Sequence, residues 1–136
     1  MPKPPLPPEA DRLLRKANPA VIATLREDGS PHTAVTWYDW DGERILVNMD
    51  SGRLRLANMR RDARVSLTVI DGPDWYRQLT LFGRVDEIRD DAEFADIDRL
   101  SLRYSRRAFG NRLRARISAL IVPERWYGWQ ASSHWP

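Results

Sequence analysis

The residues of this chain whose types and spacing point to chemistry lie between Asp50 and Val65, in D-S-G-R-L-R-L-A-N-M-R-R-D-A-R-V. Arg53, Arg55, Arg60, Arg61 and Arg64 follow directly on the apolar run Ile45 to Met49, so a strand delivers the chain into a basic helical turn. Such a junction suits a phosphate. A helix N-terminus offers unpaired N–H groups and a partial positive charge, a glycine such as Gly52 lets the backbone approach a ligand, and guanidinium forks match phosphate oxygens. The same pattern also suits solvated arginines along an exposed helix, and spacing alone does not separate the two.

Other chemistry is sparse. There is no cysteine, no H-x-x-x-H, no G-x-S-x-G and no G-x-G-x-x-G, which removes the thiol nucleophile, the helical zinc pair, the serine elbow and the dinucleotide loop. His32 and His134 lie far apart and each reads as a surface or strand histidine. Asp90, Asp91 and Glu93 read as charges at a helix start. An enzyme on this chain would borrow its chemistry from a cofactor. A net charge of +3 and a pI near 9.7 suggest an anionic partner, either nucleic acid or a phosphorylated small molecule.

The elements that must position these residues fit one domain of 136 residues, expected as a flexible proline-rich tail over 1–8 and a single domain over 9–136. No run of about 18 apolar residues could span a membrane, and M-P-K-P-P-L-P-P-E-A lacks the apolar core of a signal peptide, so a cytoplasmic protein is expected. A short helix is predicted over Glu9 to Ala17 with Leu13, Leu14 and Ala17 inward, stopped by Asn18-Pro19. Strands follow at Val21 to Leu25, Pro31 to Tyr38 and Ile45 to Met49, joined by hairpins at Asp28-Gly29 and Asp41-Gly42. After the basic segment come a strand at Arg64 to Ile70 and a long one at Trp75 to Ile88, where Gly83 predicts a bulge. Asp90-Asp91 could cap a helix with Phe94, Ile97, Leu100 and Tyr104 on one face, and the last strand runs from Ile117 to Val122. Six strands joined mostly by hairpins predict a mainly β fold, a small closed β-barrel with flanking helices.

Three pieces in order, V-I-A-T-L-R-E-D-G-S-P-H, then R-I-L-V-N-M-D-S-G-R-L-R-L-A-N-M-R-R-D-A-R-V, then Q-L-T-L-F-G-R-V with R-I-S-A-L-I-V-P-E-R-W-Y-G-W, resemble the pyridoxamine 5′-phosphate oxidase-like split-barrel superfamily. More narrowly they resemble its flavin/deazaflavin oxidoreductase branch, small actinobacterial proteins that use coenzyme F-420. The likeness runs from about Leu13 to Trp129, and the N-x-R-R-D ending of the middle piece is its specific part. It implies a six-stranded FMN-binding split barrel and an obligate homodimer with its cofactor sites at the subunit interface. Arg53 and Arg55 match the two basic positions that grip the cofactor phosphate, the second more often lysine in relatives. Asn48-Met49 matches a pair whose second member is usually a small hydroxyl residue, and Met49 cannot donate to a phosphate. Val35, Thr36 and Trp37 fall on the strand whose backbone lies along the deazaflavin ring. Asn58 is either a structural tie for the helix or a ligand contact, while Arg60, Arg61 and Arg64 are left as solvated or interface charges.

The activity this implies is a coenzyme F-420-dependent oxidoreductase, a reductase passing a hydride from reduced deazaflavin to an electron-poor double bond of a small organic substrate, with no catalytic side chain. A second reading is an FMN-binding oxidase or flavin reductase of the same superfamily. A third is a non-catalytic cofactor-binding or nucleic-acid-binding barrel, although the chain lacks the aromatic-basic strands of a single-strand binder. Trp75, Tyr76, Trp126, Trp129 and Trp135 either line an apolar substrate pocket or belong to the barrel and dimer core. The proline-rich start and the ending G-W-Q-A-S-S-H-W-P are candidate lids.

Overall fold

The structure is a computed structural model that describes residues 1–130 and the backbone of 133–134, with side chains described through Gly128. It begins with helix α1 (Pro8–Arg15), then strands β1 (Ala20–Leu25), β2 (Pro31–Thr36), β3 (Asp39–Trp40) and β4 (Ile45–Asp50). Both predicted hairpin glycines stand at positive φ, +85° at Gly29 and +98° at Gly42, a region an L side chain rarely adopts. Asp41 secures the second turn, its carboxylate accepting from the N–H groups of Glu43 and Arg44 at 2.8 and 2.7 Å. Helix α2 (Leu54–Arg61), strands β5 (Arg64–Asp71) and β6 (Asp74–Asp90), helix α3 (Ala95–Ser105), strand β7 (Arg116–Gln130) and the pair β8 (Ser133–His134) complete the chain.

All pairings are antiparallel, in the order β2-β1-β5-β6-β7-β4-β3, with β8 on β7. Two expectations are corrected here. The path carries seven strands among the described residues where six were expected, and β2 does not pair with β3, so the curled sheet is a split barrel and not a closed one. The added strand arises because the run Pro31 to Tyr38 does not continue as one strand. Trp37 and Tyr38 leave the ladder to pack on Tyr104, stacked at 5.4 Å and edge-on at 6.4 Å respectively, and β3 resumes for only two residues. At Gly83 the β6–β7 register shifts, as predicted. A Cβ at this position would collide with the Val122 carbonyl oxygen, so the two backbones meet where no side chain fits.

Alternation on β4 decides which residues reach the site. Ile45, Val47 and Met49 point into the main core, while Leu46 packs with Ile97, Leu100 and Leu120 beneath α3, the side that Asn48 shares. The α3 start is secured by Asp91, whose carboxylate accepts from the N–H groups of Asp96 and Ile97 at 3.0 and 2.9 Å. The cap therefore reaches across Phe94, which holds a left-handed conformation at φ 60°. From α3, Arg103 donates to four backbone carbonyls: Tyr38 at 3.0 Å, Arg15 at 2.9 Å, Leu14 at 2.9 Å and Lys16 at 2.6 Å. A cation thus sits at the C-terminal end of α1, where the helix dipole favours it. That helix ends two residues earlier than expected, and Ala17 is exposed; Ala10 instead joins Leu13 and Leu14 inside. Within Met1 to Pro8, expected as a flexible tail, the Pro2 carbonyl accepts from the Trp126 backbone N–H at 3.0 Å and Leu6 packs on the core.

Candidate functional site

Beside α3 the end of β2, the middle of β4, the first turn of α2 and the start of β7 enclose an open cavity of about 280 Å³. Val35, Thr36 and Trp37 form one side, Ile97, Leu100 and Phe109 an apolar side, and Asn48, Arg55 and Arg116 the polar remainder. Phe109 belongs to the irregular segment between α3 and β7. Its N–H donates to Asp98 at 3.0 Å, and Arg112 grips the same carboxylate with 2.7 Å contacts to both oxygens. The Asp98 carboxyl is held below the usual carboxylate range, chiefly by Arg112. Trp37 is braced between Tyr104 and the edge of Phe109, which gives the cavity a stiff aromatic wall.

Arg55 is the cavity's unsatisfied group. Its Nε is buried without a hydrogen-bond partner. Burial, reinforced by the charges of Arg53 and Arg116, pushes its pKa below the usual arginine value, and Asp50 offsets this only in part. A half-buried guanidinium with an orphaned donor is costly unless an anion meets it, and that donor set fits the phosphoryl group of a cofactor. Arg116 is similarly placed: half-buried, its pKa lowered mainly by burial, its guanidinium 4.8 Å from the Phe109 ring centre. Its Nε donates to Asn48 Oδ1 at 3.0 Å. The Asn48 amide is in turn fixed, because Nδ2 donates to Asp91 Oδ2 at 3.1 Å and to Ser118 Oγ at 2.9 Å. A carboxylate only accepts, so the oxygen of the amide has to face Arg116.

Of the seven residues singled out from the sequence, Val35, Thr36, Trp37, Asn48 and Arg55 come together and two stand apart. Arg53 is paired with Asp50 at 3.2 Å, its side chain 61% exposed. Asp50 also takes the Gly52 N–H at 2.9 Å, so the tight turn already holds the chain's own carboxylate, kept below its ordinary pKa first by that N–H and then by Arg53, Arg114 and Arg116. Asn58 is fully buried and structural, donating to Thr24 at 3.0 Å and accepting from Arg61 at 2.9 Å. Arg61 also donates to the Leu25 carbonyl, so it is a tie between α2 and β1 and not a merely solvated charge. Met49 is fully buried in the core and turned away. Trp126 is core and Trp75 and Tyr76 are exposed at the β5–β6 turn, so none lines the cavity; the side chain of Trp129, residue Trp135 and every side chain of the proposed C-terminal lid after Gly128 lie outside the described residues. Arg116 and Phe109 were missed. Arg116 stands opposite Asp50 in the β4–β7 register, a relation that exists only once these two strands are known to pair.

Among the described residues no cluster of His, Asp and Glu could hold a metal ion, and no helix is long and apolar enough to cross a membrane. A split antiparallel barrel with an arginine-lined cavity at its opened side defines the class. The chain belongs to the pyridoxamine 5′-phosphate oxidase family, whose model matches residues 6–130. Among solved structures it is similar to an F420 reductase, with 27% identity, 89% of this chain and 98% of the other covered, and a TM-score of 0.83. A protein of unknown function from Agrobacterium tumefaciens aligns at 27% identity and TM-score 0.72, over 94% of this chain and 59% of its own. A conserved hypothetical protein from Mycobacterium tuberculosis, at 24% identity and TM-score 0.71 over 94% of this chain and 86% of its own, shares the fold. No curated protein matches the sequence. Family and fold are those of an oxidoreductase of the flavin or deazaflavin type.

Proposed function

We propose that this chain is a coenzyme F-420-dependent reductase acting on an electron-poor double bond of a small organic substrate. The observation that carries the reading is the orphaned, half-buried Arg55 facing a cavity walled by Val35, Thr36 and Trp37. Likeness to an F420 reductase over nearly the whole length supports it. When bound, the deazaflavin supplies the hydride chemistry. The residues of the chain bind and orient: Arg55 meets the phosphoryl group, the braced Trp37 offers a flat wall, and Ile97, Leu100 and Phe109 exclude water. None of the described side chains that line the cavity is a neutral-range acid or base, and the Thr36 hydroxyl donates to the Trp37 carbonyl at 2.9 Å, which agrees with the chemistry coming from the cofactor.

Coenzyme F-420 should bind more tightly than FMN, because its anionic tail offers charges to exposed arginines such as Arg53 and Arg114, each two residues before a cavity arginine. Fluorescence titration of both cofactors at matched salt decides this, and FMN binding as tightly or more tightly would favour the FMN-dependent oxidase or flavin reductase instead.

We further propose a homodimer that closes the cavity. β2 ends the sheet, and its Val35 is 77% exposed at the cavity rim, leaving apolar surface and an unpaired strand edge for a second copy. Sedimentation equilibrium at micromolar concentration should give twice the 15.8 kDa chain mass; the single-chain mass alone would sink the proposal.

A further inference from the structure

We infer that Arg116, not Arg53, is the partner of Arg55 in binding a phosphoryl group, and that Asn48 is a positioning residue that aims it. The inference rests on reading the cavity as a cofactor site and assigns its anion-binding side chains. Three observations lead to it. First, the charge of Arg53 is already engaged by Asp50, and its side chain stands outside the cavity lining. Second, Arg55 and Arg116 line the same cavity, both partly stripped of water, and the Arg116 charge is itself one cause of the lowered Arg55 pKa, a repulsion that Asp50 at both arginines and Asp91 at Arg116 offset only in part. Two cations that repel across a partly dry space are held there by the fold at a cost, and an oxyanion between them removes it.

Third, Arg116 is already oriented for such a ligand. Its Nε is held by Asn48, Asn48 is locked by Asp91 and Ser118, and the guanidinium lies on the Phe109 ring. Its Nη atoms make no hydrogen bond to the described residues, which leaves the fork of the guanidinium free for oxygen acceptors. Asp91 gives Asn48 this rigidity while also capping α3, the helix that supplies Ile97 and Leu100 to the opposite wall. One buried carboxylate therefore fixes both the cation and the apolar face across from it.

The test uses the full chain and its variants Arg116→Gln, Arg116→Lys, Arg53→Ala and Arg60→Ala, each titrated with inorganic phosphate, coenzyme F-420 and FMN. Thermal melts and tryptophan fluorescence read the binding. Arg116→Gln should lower affinity for phosphate and for the bound cofactor about 10-fold or more, and Arg116→Lys, which keeps the charge and loses the fork, by less. Arg53→Ala and Arg60→Ala should stay within about threefold for phosphate. Should Arg116→Gln melt well below the parent, the lysine variant carries the comparison with Arg53→Ala. Arg53→Ala costing as much as either Arg116 variant with inorganic phosphate, or Arg116→Gln binding all three ligands like the parent, overturns the inference. The cofactor reading fails separately: a parent chain that binds phosphate through Arg116 but takes neither F-420 nor FMN keeps the anion site and loses the proposed function.

Discussion

Replacing Arg55 by alanine should weaken binding of the phosphate-bearing cofactor about 10- to 150-fold, the equivalent of one charge-assisted hydrogen bond contributing about 1.5–3 kcal/mol. The ligand-free protein should not be destabilised by the same change. Arg55 Nε has no partner to lose, and the guanidinium is partly desolvated beside the like charges of Arg53 and Arg116, so its removal should hold or raise the melting temperature. Binding lost with stability kept distinguishes a ligand-directed cation from a structural one. The control belongs at Arg60, which is exposed; Arg61 is unsuitable because it ties α2 to Leu25 and Asn58. Arg60→Ala should change affinity by less than threefold, about 0.6 kcal/mol, and that small effect should fade with salt. Equal losses at positions 55 and 60 in folded protein, or a large fall in the melting temperature of Arg55→Ala, would show that the site lies elsewhere.

Arg103→Ala should be the most destabilising single arginine change, at about 3 kcal/mol and a fall of roughly 10–15 °C in melting temperature. The side chain is only 17% exposed, and it donates to the carbonyls of Leu14, Arg15, Lys16 and Tyr38. Its guanidinium also lies 5.1 Å from the Tyr38 ring centre and 5.7 Å from that of Tyr104. Alanine would leave the last carbonyls of α1 without their cation and unseat Tyr104 from Trp37, the cavity's aromatic wall. Arg103→Lys should recover little, because one ammonium cannot span carbonyls that a planar fork reaches on two sides. A thermal melt within a few degrees of the parent would refute this account of how α1, α3 and the β2–β3 link are held together.

Much of the strand content was legible because its signals are local. The Asp-Gly turns, the short apolar runs of β1 and β5 and the lone Gly83 each act within a few residues, and the turns, these two strands and the register shift are present. What was not legible depends on which strands lie side by side. Nothing near Arg116 announces that it will stand opposite Asp50, and nothing near Arg103 points to α1, far back along the chain. The hydrophobic period of β4 did contain one clue that the resemblance obscured. With Ile45 and Val47 inward, Met49 must also point inward and Asn48 outward, so only one member of the Asn48-Met49 pair could face the site. The Asn48 side chain then proved to be engaged by the protein's own groups, a fact fixed by Asp91, Ser118 and Arg116 from three other segments.

The central place of β7 bears on how the molecule comes into being. β4 is flanked by the two-residue β3 and by β7, so on a ribosome it emerges with no long partner and waits while α2, β5, β6 and α3 are made. During that interval Ile45, Leu46, Val47 and Met49 form an uncovered apolar strand beside a growing β2-β1-β5-β6 sheet, the kind of late, non-local pairing that slows folding and invites association between nascent chains. The cavity is equally late, since its Phe109 and Arg116 follow α3. Small molecules that fit it cannot guide the early chain; they can only hold a protomer already finished.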